Sequence, residues 1–259
     1  MLGNSDVNQC PLVSVIVPCF NSVDFIFEAV SSVLCQTHQN FEILIVDDGS
    51  TDGTRDLLQK EFQSEQKIVI LEHETNLGAG GARNTGISLA KGKYLAFLDA
   101  DDIWHPTKLE KQVDVMDKES CVISHTSYVL VNEQRCQIIS TNQCSQDLGL
   151  IDYMKTTGIG MSTAMINREL TGSVEFSTAR TRQDTMFWLE LLSRGFVSKA
   201  ISEVLVDYRI RRGQISANKL KMAVRTLIVF WGTKKVPWYY RIFLYFNYVR
   251  SAFEKRRSN

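Results

Sequence analysis

The chain has 259 residues, 44% of them hydrophobic and 22% charged, with 29 basic side chains against 29 acidic ones. It is long enough for a sizeable core in one large domain, and its ordinary globular composition excludes a disordered or fibrous chain. The charge is unevenly spread, because from Lys219 onward ten lysines and arginines face a single acid, Glu254, which leaves an acidic body with a basic tail.

Val13-Ser14-Val15-Ile16-Val17, closed by Pro18, predicts a buried strand. Phe25, Ile26, Ala29, Val30, Val33 and Leu34 then recur at helical spacing. Phe41 to Val46 predicts a second strand, which breaks at Asp47-Asp48-Gly49-Ser50-Thr51-Asp52. Ser50 or Thr51 is expected to cap the next helix, whose apolar side is Leu57, Leu58 and Phe62. Ile68 to Leu71 is a third strand, and Gly78 to Asn84 opens a helix that runs through Ala90 and is closed by Gly92. The fourth strand, Tyr94 to Leu98, ends abruptly in Asp99-Ala100-Asp101-Asp102. Four alternations of strand and helix predict a parallel sheet with helices on both faces. In such sheets ligands bind beyond the carboxyl ends of the strands. The loops Pro18–Asn21, Asp47–Asp52 and Asp99–Trp104 all fall there, so one shared site is expected.

After Pro106 the pattern changes. Leu109, Val113 and Met116 suggest a helix, and residues 122–131 and 137–140 a strand hairpin. Gly158 to Thr163 is expected to be a flexible segment leading into a strand at Ala164-Met165-Ile166. Residues 182–195 read as a helix with Gly195 as its C-cap, and residues 197–206 as a last strand. Residues 217–257 are expected to form two helices broken at Pro237, rich in aromatic and basic residues, which suits a membrane interface with anionic lipid. The alternative is a helix pair packed on the body or on a second copy of the chain.

Six cysteines show no C-x-x-C pair and no ligand spacing with the four histidines, so free thiols in a reducing compartment are expected. No basic segment followed by an apolar run opens the chain, and no uncharged apolar run of about 18 residues occurs, so neither a secretory signal nor a membrane span is expected. Three carboxylates at a strand end repel one another and are costly to desolvate. A Mn²⁺ or Mg²⁺ ion would offset that cost, since such ions are held by one or two carboxylates plus phosphate oxygens. Taken alone, the same loop is also compatible with a solvated acidic turn. The glycines at 78–81 follow the third strand and lack G-x-G-x-x-G spacing, which argues against a dinucleotide fingerprint.

Several ordered motifs resemble family 2 glycosyltransferases. They are residues 13–21, 32–37, Phe41 to Thr54, Asn76-Leu77-Gly78 with Ala82-Arg83-Asn84, and Asp99-Ala100-Asp101-Asp102. The resemblance covers about residues 12–216 and looks strongest to bacterial enzymes that build O-antigen, capsule or teichuronic acid. It also includes Tyr208-Arg209, Ile215-Ser216 and Asn218 to Lys221. It implies a GT-A fold, a nucleotide-sugar-binding half at 12–103, an acceptor half at 104–216, and a helical tail at 217–259. It further implies inverting transfer from a nucleotide-sugar, with a UDP-sugar as the expected donor, to a glycan or lipid-linked acceptor. The enzyme would sit on the inner face of the cell membrane through its tail. Nucleic acid is not an expected partner, and a homodimer is the alternative use of the tail. Pro18, Phe20 and Asn21 would lie at the nucleotide. Asp48 would accept from the base, and Arg83 would support the phosphates. Asp99-Ala100-Asp101 would be the DxD motif, with either Asp101 or Asp102 on the metal. Asp184 would be the catalytic base. Two departures stand out: Gln183 precedes Asp184 where the family usually has Glu, and Arg211 replaces a frequent histidine. Arg211 cannot ligate a metal but pairs well with a diphosphate. Trp104 is either an acceptor wall or a core anchor, and Ser162-Thr163 is expected at the acceptor pocket. A catalytically silent binding partner of an assembly complex and a nucleotidyltransferase are the competing readings.

Overall fold

The structure is a computed structural model and describes residues 10–211 and 219–257, with only the backbone described at 219–221 and 251–257. Arg212, Ile215, Ser216 and Asn218 lie outside the described residues. In chain order the elements are β1 (Val13–Cys19), α1 (Ile26–Leu34), β2 (Phe41–Asp47), α2 (Thr54–Phe62), β3 (Ile68–Glu72), α3 (Gly78–Leu89) and β4 (Tyr94–Phe97). They continue with β5 (Ile103–Trp104), α4 (Lys108–Lys118), β6 (Ile123–Val131), β7 (Ile138–Asn142) and α5 (Leu150–Thr156). After a 3-10 turn at Met161–Thr163 come β8 (Ala164–Asn167), α6 (Arg168–Thr171), α7 (Gln183–Ser193), β9 (Ser198–Arg209), α8 (Lys219–Gly232) and α9 (Trp238–Arg257).

All the strands join one sheet of order β3-β2-β1-β4-β8-β6-β9-β5, with β7 paired to β6. The expected parallel half is present: β1 pairs β2 and β4, and β2 pairs β3, all in parallel. Beyond β4 the sheet turns antiparallel at β8. Pro18 lies within β1, and its position in the ladder explains why that is tolerated. Ile16 faces β4, where it accepts from Leu98 N, and pairing on that side stops at Ile16–Phe97. Pro18 points the same way two residues on, where no ladder bond needs its missing N–H.

Strand alternation sorts the core into two layers. Val15, Val17, Ile43 and Ile45 pack with α1, α2 and α4, while Ile16, Leu44, Leu95 and Phe97 pack with α3, α5 and α7. Phe230, Val236 and Leu244 of the C-terminal segment are fully or almost fully buried in the second layer. Each contributes roughly 1.5–3 kcal/mol by burial, so this helix pair belongs to the packing of the body.

The expected cap of α2 is corrected. The helix starts after Gly53, whose φ of 94° is left-handed, and Asp52 Oδ1 accepts from Thr54 N (3.0 Å) and Thr54 Oγ1 (2.6 Å). Ser50 and Thr51 instead bind across to the first loop: Asn21 N donates to Ser50 Oγ and Thr51 N to Asn21 Oδ1, both at 2.9 Å. The expected flexible segment is also corrected, because Met161–Thr163 is an ordered, buried turn.

Candidate active site

The carboxyl ends of β1, β2 and β4 open onto one cavity of about 890 Å³. Its first wall comes from the end of β1, where Pro18, Cys19, Phe20 and Asn21 all line it. Phe20 is 45% exposed, a large apolar ring held in the open beside the cavity. Asp48 lies beside this wall at the end of β2, its N donating to Cys19 O at 2.8 Å, and is buried. Its Oδ1 accepts from Leu77 N and meets His73 Nδ1, both at 2.8 Å, and its Oδ2 accepts from Gly78 N at 2.7 Å. Each carboxylate oxygen has about two acceptor positions, so Oδ2 keeps one for a ligand. Asp47 points away, buried against Arg55 (3.2 Å), which makes it structural. Cys19 is buried between these aspartates; burial first, and then Asp47, pushes its thiol far above the ordinary range.

The second wall is acidic. Asp99, Ala100 and Asp101 line the cavity. Arg83, itself 4% exposed, binds Asp99 Oδ1 through Nη2 at 2.5 Å, and its guanidinium lies 5.3 Å from the Phe176 ring. Arg211 Nε lies 2.6 Å from Asp101 Oδ2. Burial and then Asp99 raise the pKa of Asp101, and Arg211 opposes them.

Asp102 turns the other way. It is fully buried and absent from the cavity wall; its Oδ2 accepts from Ser162 Oγ (2.5 Å) and its Oδ1 from Arg209 N (3.1 Å). Burial is the largest cause of a carboxyl pKa held well above the usual range. The expected metal role of Asp102 is therefore corrected: fully buried and off the cavity wall, it presents no oxygen to the cavity. Ser162 also accepts from Asp99 N (3.1 Å), so it supports the acidic loop from beneath and does not face the acceptor. Trp104 is a core anchor, 2% exposed, its Nε1 donating to Ser162 O at 2.8 Å. Lys108 lies buried over its ring at 3.9 Å, where burial holds the amine well below its usual pKa.

Among the described residues no group of three or more His, Cys, Asp and Glu side chains is arranged to hold a metal by itself. The donor set still fits a Mn²⁺ or Mg²⁺ ion that takes other ligands from substrate. Two carboxylates, Asp99 and Asp101, share the wall, and such ions are usually bound through one or two carboxylates plus phosphates.

The third wall is the start of α7. Asp184, half-buried in its first turn, lines the cavity beside Arg180, Arg182 and Gln183. The opening of α3 and the opening of α7 thus meet, and Gly80 is what lets them. A Cβ there would lie 2.6 Å from Ser177 O and collide with Gln183 Oε1. A Gly80→Ala variant should therefore lose about 1–3 kcal/mol of stability by overpacking. It should also lose turnover, and an unchanged denaturation midpoint with full activity would refute that close approach.

The structure thus brings together Pro18, Phe20, Asn21, Asp48, Arg83, Asp99, Ala100, Asp101, Asp184 and Arg211, and leaves out Asp102. Asn76 and Tyr208, quoted above as motif residues without a site role, also line the cavity, as do Glu133, Arg180, Arg182 and Met222, which sequence reasoning missed. Arg180 and Arg182, immediately before Gln183-Asp184, were the available signal; Met222 had none.

A family model described as Glycosyl transferase family 2 matches residues 14–173. The chain is 41% identical over 249 residues to a putative teichuronic acid biosynthesis glycosyltransferase, TuaG, of Bacillus subtilis, covering 96% of this chain and 99% of that one. It is 35% identical over 214 residues to the Escherichia coli UDP-Glc:alpha-D-GlcNAc-diphosphoundecaprenol beta-1,3-glucosyltransferase WfaP, covering 83% of each. The fold is similar to that of S. aureus TarS 1-349 in complex with UDP-GlcNAc, with a TM-score of 0.73 at 19% identity over 95% of this chain and 74% of that one. It is also similar to the Pyrobaculum calidifontis mannosyltransferase PcManGT in complex with GDP-Man and Mn²⁺, with a TM-score of 0.67 at 18% identity over 89% and 66%.

Proposed function

The chain belongs to glycosyltransferase family 2 and has the GT-A fold, and from that premise we propose that it moves glucose, with inversion, from UDP-glucose to a hydroxyl of a lipid-linked glycan in surface-polysaccharide synthesis. One observation carries the reading: the free acceptor position of Asp48, the Asp99/Asp101 pair and Asp184 face one cavity. Asp48 Oδ2 accepts from the base N–H, and Phe20 lies against the base. Asp184 takes the proton of the attacking hydroxyl. Arg83 and Arg211 stand at the diphosphate, where cations stabilise charge on the leaving group. A Mn²⁺ or Mg²⁺ ion at Asp101, with Asp99 beside it, supplies Lewis-acid neutralisation of that diphosphate when bound. The UDP-Glc and diphosphoundecaprenol-linked acceptor of the Escherichia coli relative, and the UDP-GlcNAc bound in TarS, support the donor and acceptor classes.

The test is release of nucleoside diphosphate from UDP-glucose, UDP-GlcNAc and GDP-mannose, offered with a GlcNAc-diphosphoryl-alkyl acceptor, with Mn²⁺ and with chelator. UDP release from UDP-glucose that stops with chelator is the expected result. Neither turnover nor tight binding of any donor would leave only the silent-partner reading.

The tail reading extends to the membrane. Among the described residues no helix is long and apolar enough to cross one. Yet α8 and α9 each carry a second apolar stripe facing outward: Val224, Leu227, Ile228 and Trp231, then Trp238, Tyr239, Ile242, Phe243 and Phe246, all at helical spacing and exposed. Exposed Lys234 and Lys235 lie between them. Apolar-aromatic stripes with basic neighbours suit the interface of an anionic bilayer. Vesicles containing phosphatidylglycerol should sediment the protein, phosphatidylcholine vesicles should do so less, and Phe243→Glu with Trp231→Glu should abolish it. A dimer in sedimentation velocity that this double variant dissolves, with no vesicle binding by the parent chain, would assign the face to a second copy.

A further inference from the structure

Arg182 occupies the cap position of α7, two residues before Asp184, with φ 60° and ψ 19°. A left-handed backbone is uncommon for a residue with a side chain, and no side chain caps this helix. Something else must hold the conformation. Arg182 Nη2 donates to Tyr248 Oη of α9 at 2.9 Å and to Met222 O of α8 at 3.3 Å. Arg182 and Met222 line the same cavity as Asp184, whereas Tyr248 stands behind the wall. The two helices pack against each other on this side. The Phe230 ring meets Tyr248 edge-on at 5.9 Å, and Tyr245 Oη donates to Ala223 O at 3.2 Å. A second strut comes from α5, which packs against both α7 and α9 and buries Tyr153 in the same core as Phe187 and Trp188 of α7. Thus the helices whose outer stripes are exposed are the same ones whose inner side fixes the start of α7.

We infer that Arg182 is a positioning residue that ties Asp184 to the C-terminal helix pair, so that seating α8 and α9 on an anionic bilayer tightens the start of α7 and the acceptor side of the cavity. The inference rests on the membrane reading above but asks more of it. Docking alone would bring the enzyme to a lipid-linked substrate; this bridge makes docking felt at the base. One guanidinium nitrogen, Nη2, reaches both the Met222 carbonyl and the Tyr248 hydroxyl, and phenylalanine at 248 lacks that hydroxyl.

The experiment is amide hydrogen exchange of the full chain, free and with phosphatidylcholine vesicles with or without phosphatidylglycerol, beside vesicle sedimentation. In the parent chain, anionic vesicles should slow exchange across residues 177–188 at least about threefold. Tyr248→Phe should bind the same vesicles equally well and lose that slowing, and its kcat on UDP-glucose should fall about tenfold with the donor KM unchanged. Arg182→Lys should likewise lose the vesicle-induced slowing. Slowing retained in Tyr248→Phe, or vesicle binding that leaves 177–188 unchanged in the parent chain, overturns the relay while docking stands. No vesicle binding by the parent chain overturns docking itself, and the relay with it.

Discussion

The Asp184→Asn variant is expected to lose about 10²–10⁴-fold in kcat, the range a general base contributes. Its donor affinity should stay at that of the parent chain. Asparagine keeps the size of the side chain and its place in the first turn of α7, but it cannot take a proton. Asp184 comes from α7, whereas Phe20 and Asp48 come from the ends of β1 and β2, so the proposed nucleotide contacts should survive its loss. Single-turnover kinetics with UDP-glucose, read beside donor binding by calorimetry, separate the two effects. Retained turnover would move the base elsewhere. Weakened donor binding would recast Asp184 as a donor ligand.

The second large effect separates two neighbouring carboxylates. Asp101→Asn should cost roughly 10²-fold or more in kcat/KM for the donor and abolish the response to Mn²⁺, because Asp101 faces the cavity beside Asp99. Asp102→Asn should keep the metal response. It should instead destabilise the fold by about 1–3 kcal/mol, since asparagine keeps a single acceptor oxygen for two donors, Ser162 Oγ and Arg209 N. Denaturation midpoints and Mn²⁺ titration of both variants decide the matter. A metal affinity that falls in Asp102→Asn and holds in Asp101→Asn would reverse the assignment.

Why the sequence left these two undecided is a matter of direction. Composition and spacing locate three carboxylates at a strand end, but a turn, closed by Asp102 N donating to Asp99 O, sets which way each points. The partner that claims Asp102, Ser162, is sixty positions away. The parallel half was legible because β1, β2 and β4 are buried on both faces and read as unbroken apolar runs. The short elements β5, α5 and α6 were not, being too brief to show a period. The cap of α2 was misplaced for a similar reason. Ser50 and Thr51 are good capping residues by type, but Asn21, from another loop, already uses them. The wall carried by β1, β2, α3 and β4 comes from consecutive motifs in the first hundred residues. The rest of the wall is assembled from Glu133, Met161, Arg180 to Asp184 and Met222, and no local pattern announces that assembly. The tail illustrates the same limit. Helical spacing identified its apolar residues, but one face of each helix is buried in the body and another is exposed, so the two readings of the tail describe different sides of the same helices.

The silent thiol at the end of β1 has a practical use. Cys19 is buried and held protonated, so maleimide reagents at neutral pH will spend themselves on the exposed Cys10, Cys35 and Cys136. Cys136 follows the β6–β7 turn three residues after Glu133, which lines the cavity. With Cys10 and Cys35 replaced by serine, a fluorophore on Cys136 is expected to report ligand occupancy of the cavity from outside its wall.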